Sequence, residues 1–311
     1  MSRVQWSEIP AAVRAGIEDV LGDAVVEATS QSGGYSPGSA DRVVTASGRR
    51  AFVKAASPAV NVDTPTIHRR EAEISARLPA GIPAPALLGA VDDGEWIALV
   101  LEDVEGRHPV TPWEPRELDA VFDALHRISA VELPADVPVT DVADALAGDA
   151  AAWRGIDVDA LGSLPHGLDD WVRAHFEGLV DAAARGASDA RGDRLVHYDT
   201  RADNILLRSD DSVVLIDWPW GARGAGWFDA LSLLINVRYF DAAADVESLI
   251  RRHPVFDGMP ADAATNVLAG FAGMFLSSSL RPHPPRMPTL RPFQRAQAVV
   301  TLDWVRERWK G

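Results

Sequence analysis

Cysteine is absent from all 311 residues, which excludes disulfides, thiolate metal sites and thiol nucleophiles. Lysine is nearly absent: Lys54 and Lys310 stand alone among 30 Lys+Arg, so arginine is the default cation. A basic excess is missing too. The formal charge of −15 argues against a nucleic-acid partner, which wants a basic surface. The same charge would favour a cationic ligand by steering, although an acidic surface serves solubility equally well. No apolar run approaches membrane-spanning length, and the start Met1-Ser2-Arg3-Val4-Gln5-Trp6 is no secretory leader. The expectation is a cytoplasmic protein with no membrane partner. At 47% hydrophobic residues the chain can bury a substantial core, as one large domain or two lobes.

What the chain does contain is concentrated near its middle. Leu195-Val196-His197-Tyr198-Asp199-Thr200-Arg201-Ala202-Asp203-Asn204 reads H-x-D-x-x-x-x-N, and Val213-Val214-Leu215-Ile216-Asp217-Trp218 follows. Asn204–Arg208 is strand-like, Ser209–Ser212 is a polar turn and Val213–Asp217 a second apolar run, so the two segments form a hairpin. With Arg208 and Val213 flanking the turn, Asn204 falls opposite Asp217, and opposed Cβ atoms lie about 4.5–5.5 Å apart. An amide oxygen and a carboxylate at that separation can share a hard cation, with Asp199 beside it. The spacing predicts a metal-plus-base site.

Lys54 sits in the apolar strand Arg50-Ala51-Phe52-Val53-Lys54-Ala55. A buried strand is an expensive place for an ammonium without a partner, and an edge strand with its head in solvent is the simpler alternative. Pro65–Leu78 reads as a helix with Ile67, Ile74 and Leu78 on one stripe. Glu71 falls four residues after Ile67 and three before Ile74, on that core-facing stripe, whereas Glu73 points toward the solvated flank and suits an i,i+4 pair with an arginine. Glu71 is the expected partner of Lys54.

These parts, in this order, resemble the aminoglycoside phosphotransferase-type small-molecule kinases. The resemblance implies an α+β, bilobal, protein-kinase-like fold with a small β-rich N-lobe and a large helical C-lobe. By it, His197 shapes the loop, Asp199 is the catalytic base, and Asn204 and Asp217 hold magnesium. Arg201 stands where protein kinases carry a lysine two residues after the base, which makes a γ-phosphate contact plausible. Lys54 would orient the phosphates of ATP. The hinge would be Trp96–Gly106, with the Glu102 carbonyl and Val104 N–H meeting an adenine edge. Gln31–Ser39, a glycine-rich turn with Gly33, Gly34 and Ser36, lies one strand pair ahead of Lys54, where backbone N–H groups can approach phosphate; alone it would be an ordinary hairpin.

The layout fits that architecture. Up to about Leu101 the pattern gives a helix (Pro10–Leu21), strands, the Glu71 helix and two more strands around Leu87–Val91 and Trp96–Leu101. After a Pro-rich link, mostly helix follows: 115–130, 142–153, 168–184, 226–238, 242–252, 261–280 and 291–309. Residues 1–102 are expected to be a nucleotide-binding lobe and 103–311 a lobe with the base and the acceptor pocket. Trp218–Gly226 leads straight into the helix carrying Asp229, so there is no activation segment and no protein substrate is expected. Asp229 is either a brace for the catalytic loop or a plain first-turn acid stabilised by the helix dipole. The expected function is ATP- and Mg²⁺-dependent phosphoryl transfer to a hydroxyl of a small molecule, such as an antibiotic, amino alcohol or sugar. The alternatives are an inactive nucleotide-binding relative or a metal-dependent phosphohydrolase. The acceptor pocket is expected among the C-terminal helices, near Asp241, Asp245 and Glu247.

Overall fold

Alternation along one strand organises the first part of the chain. In Arg50–Ala56, residues Ala51, Val53 and Ala55 are fully buried and Phe52 and Lys54 half-buried on the other side. Successive side chains of a strand point to opposite faces, so both faces must be covered. In the computed structural model they are. Residues 3–31, 38–133, 137, 139–159, 161–162, 164–284 and 287–309 are described. Among them two units separate: Met1–His108 with Asp203–Trp220 and Pro284–Met287, and Pro109–Ala202 with Gly221–His283 and Pro288–Gly311.

The first unit begins with α1 (Ala11–Leu21), whose Val13, Ile17 and Leu21 recur every four residues and are buried; Gly22 closes it in the left-handed region at φ 71. Strands β1 (Val25–Ser30), β2 (Ser39–Thr45) and β3 (Arg50–Ala56), helix α2 (Thr64–Ser75), and strands β4 (Leu87–Asp92) and β5 (Ile97–Glu102) follow. The sheet is antiparallel in the order β1-β2-β3-β5-β4, with Lys54 paired to Leu99. Val13, Ile17 and Leu21 pack with Val43, Val53, Ala98 and Val100 on one face. Phe52, Ala72, Leu87, Ile97, Leu99 and Leu101 form a second cluster on the other, where α2 lies. A two-stranded hairpin, Ile205–Leu207 with Val213–Leu215, completes the unit.

The second unit is helical: α3 (Pro115–Ser129), α4 (Val142–Arg154), α5 (Leu168–Asp189), α6 (Phe228–Phe240), α7 (Val246–Arg252), α8 (Ala263–Ser279) and α9 (Leu290–Arg308). Helices α4, α5, α8 and α9 pack together. Gly273 lets α8 approach the Trp153 indole, since a Cβ there would stand 2.3 Å from its Nε1; that indole donates to the Ala269 carbonyl at 2.8 Å. Almost every residue of α6 is buried. Arg238, 7% exposed, ends it with a bidentate pair to Glu307 of α9, both contacts at 2.6 Å. The order of a sheet-rich and then a helix-rich part makes this an α+β fold of the protein-kinase type. Among the described residues no helix is long and apolar enough to cross a membrane.

Candidate active site

In the first unit, three charged groups converge. Because Lys54 shares the Phe52 face of β3, it points toward α2. Its Nζ donates to Glu71 Oε1 at 2.7 Å and to Asp217 Oδ1. Glu71 also accepts the Trp218 N–H. Glu71 is 3% exposed and Lys54 13%, whereas Asp217 is 45% exposed. Glu71 is therefore the buried anchor and Asp217 the carboxylate that can exchange partners. Burial pulls the Lys54 ammonium down, but Asp217 and Glu71 together outweigh it and hold it above its ordinary value. Burial pushes Glu71 up, opposed by Lys54 and reinforced by Asp217. One turn before Glu71, His68 is buried with no partner for either ring nitrogen among the described residues. Burial and the nearby Lys54 charge push it down to about 3, so it is a neutral filler.

The hairpin carrying Asn204 and Asp217 corrects the expected register by one residue. Ile205 pairs with Leu215, Leu206 with Val214 and Leu207 with Val213, and Ile216 N–H donates to the Asn204 carbonyl at 2.9 Å. Asn204 therefore lies across from Ile216, not Asp217. The loop has three residues rather than four: Asp211 adopts φ 64, Asp211 N–H donates to Arg208 O at 3.0 Å and Arg208 N–H to Ser212 O at 2.9 Å. Aspartate tolerates that left-handed conformation, which closes the loop one residue early. Asn204 ends a short 3₁₀ turn (Ala202–Asn204), and Asp217 has left the ladder at φ 63, so strand spacing does not set their separation.

Oxygen donors are nevertheless what these two positions offer, Asn204 buried at 3% and Asp217 open to solvent. Among the described residues no group of three or more His, Asp or Glu is placed to hold a metal. Two oxygen donors suit magnesium, which keeps waters and takes substrate phosphates rather than an all-protein cage.

Beside the hairpin runs the segment after β5. Val104 is buried and packs with Leu206, Val214 and Ile216 in an apolar cluster. Its carbonyl accepts Arg42 at 3.3 Å, and its N–H has no partner among the described residues. Glu102 spends its carboxylate on Arg208, at 3.1 Å, and the Ala86 N–H. Asp103, 2% exposed, is held by Arg50 at 2.7 Å and Arg42 at 3.4 Å, which fixes the link. Gly33, Gly34 and Ser36 lie outside the described residues.

In the second unit, the His197–Arg201 loop hangs on one carboxylate. Asp229 accepts His197 N–H at 2.7 Å and Tyr198 N–H at 2.9 Å. It stands in the first turn of α6, but buried and accepting two loop N–H groups it is the brace rather than a plain helix-terminal acid. His197 is fully buried. Asp199 Oδ1 accepts Arg201 Nη1 at 2.9 Å, and that guanidinium lies 5.7 Å over the Phe293 ring. Asn236 Oδ1 accepts both Ala202 N–H, at 3.3 Å, and Trp113 Nε1, at 3.1 Å. After Trp220 the chain forms Ala222–Gly224, antiparallel to Arg194–Val196, and enters α6 at once, with no room for an activation segment.

Sequence reasoning passed over Tyr198 and Asp149. Tyr198 fills the unspecified position of H-x-D, stands at φ 74 and donates its hydroxyl to Asp149 of α4 at 3.3 Å. An aromatic residue in a tight loop was the available signal; nothing distinguished Asp149 from its neighbours on an alanine-rich helix. Asp241 and Asp245 border a cavity of about 230 Å³ with Trp113, Leu118, Val237 and Arg252. Glu247 instead accepts Trp304 Nε1 at 2.7 Å and ties α7 to α9.

The family model described as "Phosphotransferase enzyme family" (APH) matches residues 32–261. Among curated proteins none matches the chain. An aminoglycoside phosphotransferase from Alicyclobacillus acidocaldarius is similar at 15% identity and TM-score 0.56, covering 99% of this chain and 97% of that one. A thermostable variant of aminoglycoside phosphotransferase APH(4)-Ia, in complex with AMP-PNP and hygromycin B, is similar at 16% and 0.64, covering 97% and 100%. Choline kinase LicA from Streptococcus pneumoniae is similar at 14% and 0.62, covering 94% and 98%. At those identities the likeness is one of fold, and the family model, which spans well over half of the chain, carries the assignment. The chain belongs to this phosphotransferase family, the small-molecule kinases that its motifs resemble.

Proposed function

We propose that the protein transfers the γ-phosphoryl group of ATP to a hydroxyl of a small molecule. The observation that carries the reading is Lys54 held between the buried Glu71 and the half-exposed Asp217. A structural ion pair has no need of a second, solvent-open carboxylate, whereas a lysine that must hand itself to phosphate oxygens does. The solved relatives' complexes with AMP-PNP and AMP support a nucleotide donor.

In this reading residues 1–102 bind the nucleotide, and 103–311 carry the base and the acceptor pocket. Glu71 keeps Lys54 aimed at the phosphates. The apolar cluster around Val104 takes the adenine, whose edge meets the Glu102 carbonyl and the Val104 N–H, and the loop with Gly33, Gly34 and Ser36 covers the phosphates. Asn204 and Asp217 would hold magnesium, which when bound neutralises phosphate charge. Asp199 accepts the proton of the acceptor hydroxyl as its oxygen bonds to phosphorus and the bond to the ADP oxygen breaks. Arg201 holds Asp199 in place and would contact the γ-phosphate, and His197 shapes the loop. Hygromycin B and choline in the relatives' names support an amino-bearing acceptor, in keeping with the charge of −15. A cytoplasmic location, with no protein or nucleic-acid substrate, belongs to the same proposal.

The test is magnesium-dependent ATP consumption across a panel of aminoglycosides, amino alcohols and sugars. Stimulation by one class supports the reading. ATP binding without turnover would mark an inactive relative, and turnover indifferent to every alcohol a phosphohydrolase.

A further inference from the structure

Tyr198 has a backbone that its own side chain makes expensive. It stands at φ 74, a region that glycine enters freely and a Cβ-bearing residue only at a cost. The loop's backbone bonds do not call for a tyrosine, since the N–H accepted by Asp229 would be present with any residue but proline. What tyrosine adds is a ring stacked on Phe228, at 5.4 Å and 27°, and a hydroxyl donated to Asp149 Oδ2 at 3.3 Å.

Asp149 is the stranger partner. It comes from α4, 49 residues earlier in the chain, and that hydroxyl is its one partner among the described residues. Burial pushes its carboxyl up to about 6, only partly offset by the tyrosine. Burial and the adjacent Asp149 and Asp199 charges push the phenol up in turn, so it remains a donor. A strained residue and a largely desolvated carboxylate with a single hydrogen bond are both standing destabilisations, and such features gather at functional centres. The next residue along the chain is Asp199.

We propose that Asp149 and Tyr198 form a positioning device for Asp199. Tyr198 is pinned at three points: its N–H by Asp229, its ring by Phe228 and its hydroxyl by Asp149. Asp199, next in the chain and also held by Arg201 at 2.9 Å, is thereby kept in one orientation through transfer. Asp149 and Tyr198 are positioning residues; they act through the loop and touch no reacting atom. The inference rests on the reading of Asp199 as the base.

The experiment measures magnesium-dependent ATP consumption by the full chain, with and without acceptor alcohols, for wild type, Asp199→Asn, Tyr198→Phe, Asp149→Ala and Asp149→Asn. Tyr198→Phe and Asp149→Ala are expected to lower kcat about three- to tenfold, the effect of one lost hydrogen bond, with KM for ATP within about twofold. Asp149→Asn should lie within about threefold of wild type, because its amide oxygen accepts the same hydroxyl. Tyr198→Phe keeps the ring and its stacking, so it decides the matter even where Asp149→Ala fails to fold. An unchanged kcat in Tyr198→Phe, a loss shared equally by KM for ATP, or Asp149→Asn as impaired as Asp149→Ala overturns the proposal. Wild-type turnover that survives Asp199→Asn overturns the reading of Asp199 itself. Turnover that needs Asp199 but ignores Tyr198 and Asp149 overturns this inference alone.

Discussion

Removing the Lys54 ammonium would leave Glu71 buried without its partner, and the size of that defect can be worked from the geometry. At 2.7 Å and an effective dielectric of about 20, the gross attraction is roughly 6 kcal/mol. Desolvation of a buried carboxylate and ammonium offsets several kcal/mol of it. What is left as a net coupling is about 1–3 kcal/mol. Asp217 contributes less to stability, because nearly half of it faces solvent. Lys54→Ala should therefore destabilise the fold by about 3 kcal/mol, the effect of orphaning a buried charge, and lower kcat/KM for ATP about a hundredfold by releasing the phosphates. Glu71→Ala should give a milder defect of the same kind, since Asp217 still holds the lysine. The assay is a double-mutant cycle read by urea unfolding and by ATP turnover. Because the residues act as one unit, the double variant should be little worse than Lys54→Ala. Losses that add in full would refute the reasoning, and would show that Glu71 does not hold the lysine.

Other outcomes follow from the same structure. Asp217→Ala should abolish magnesium-dependent turnover and weaken Mg·ATP binding measured by calorimetry; normal turnover would remove Asp217 from the metal site. Asp199→Asn should still bind ATP while transfer falls by about 10³-fold or more, and a parallel loss of nucleotide affinity would mean that base and ligand are misassigned. Asp229→Asn replaces one of two buried acceptors by a donor facing an N–H, so thermal unfolding should show a loss of about 2–4 kcal/mol, and wild-type stability would contradict the brace. For Asp149 the folded carboxyl, at about 6, lies above its ordinary value, so the folded state binds the proton more tightly than the unfolded state. Stability should accordingly fall as pH rises from about 4 to 6 and level off above. Asp149→Asn should remove that slope and gain about 2–3 kcal/mol at pH 8, read from urea midpoints; an unchanged slope would show that Asp149 is not the group responsible.

Much of the architecture is legible in the residues themselves. Seven helical stretches after the Pro-rich link correspond to α3–α9, since periodic apolar faces survive in the sequence. Glu71 is distinguishable from Glu73 because helix faces are readable at 3.6 residues per turn: Glu71 is buried against Lys54, while Glu73 lies near Arg77 at 3.5 Å. The hairpin register was missed by one residue because it hung on Asp211 entering the left-handed region, a choice that the polar run Ser209–Ser212 does not announce. The pairing of Asp149 with Tyr198 is hidden for a different reason: 49 residues separate them, and although an aromatic residue stands out in the tight loop, no local pattern marks Asp149 as its partner.

The sequence by itself determined the family, the order of elements and the identity of the chemistry-bearing side chains, because these depend on residue type and short spacing. Tertiary structure alone decided that Asp217 joins Glu71 on Lys54 and where the hairpin slips. It also decided that Asp229 and Asp149 grip the loop before Asp199. The slip turns on the backbone of Asp211, which residue type does not dictate; the others are contacts between residues far apart in the chain, and burial, which sets their strength and their protonation, exists only once the chain has packed.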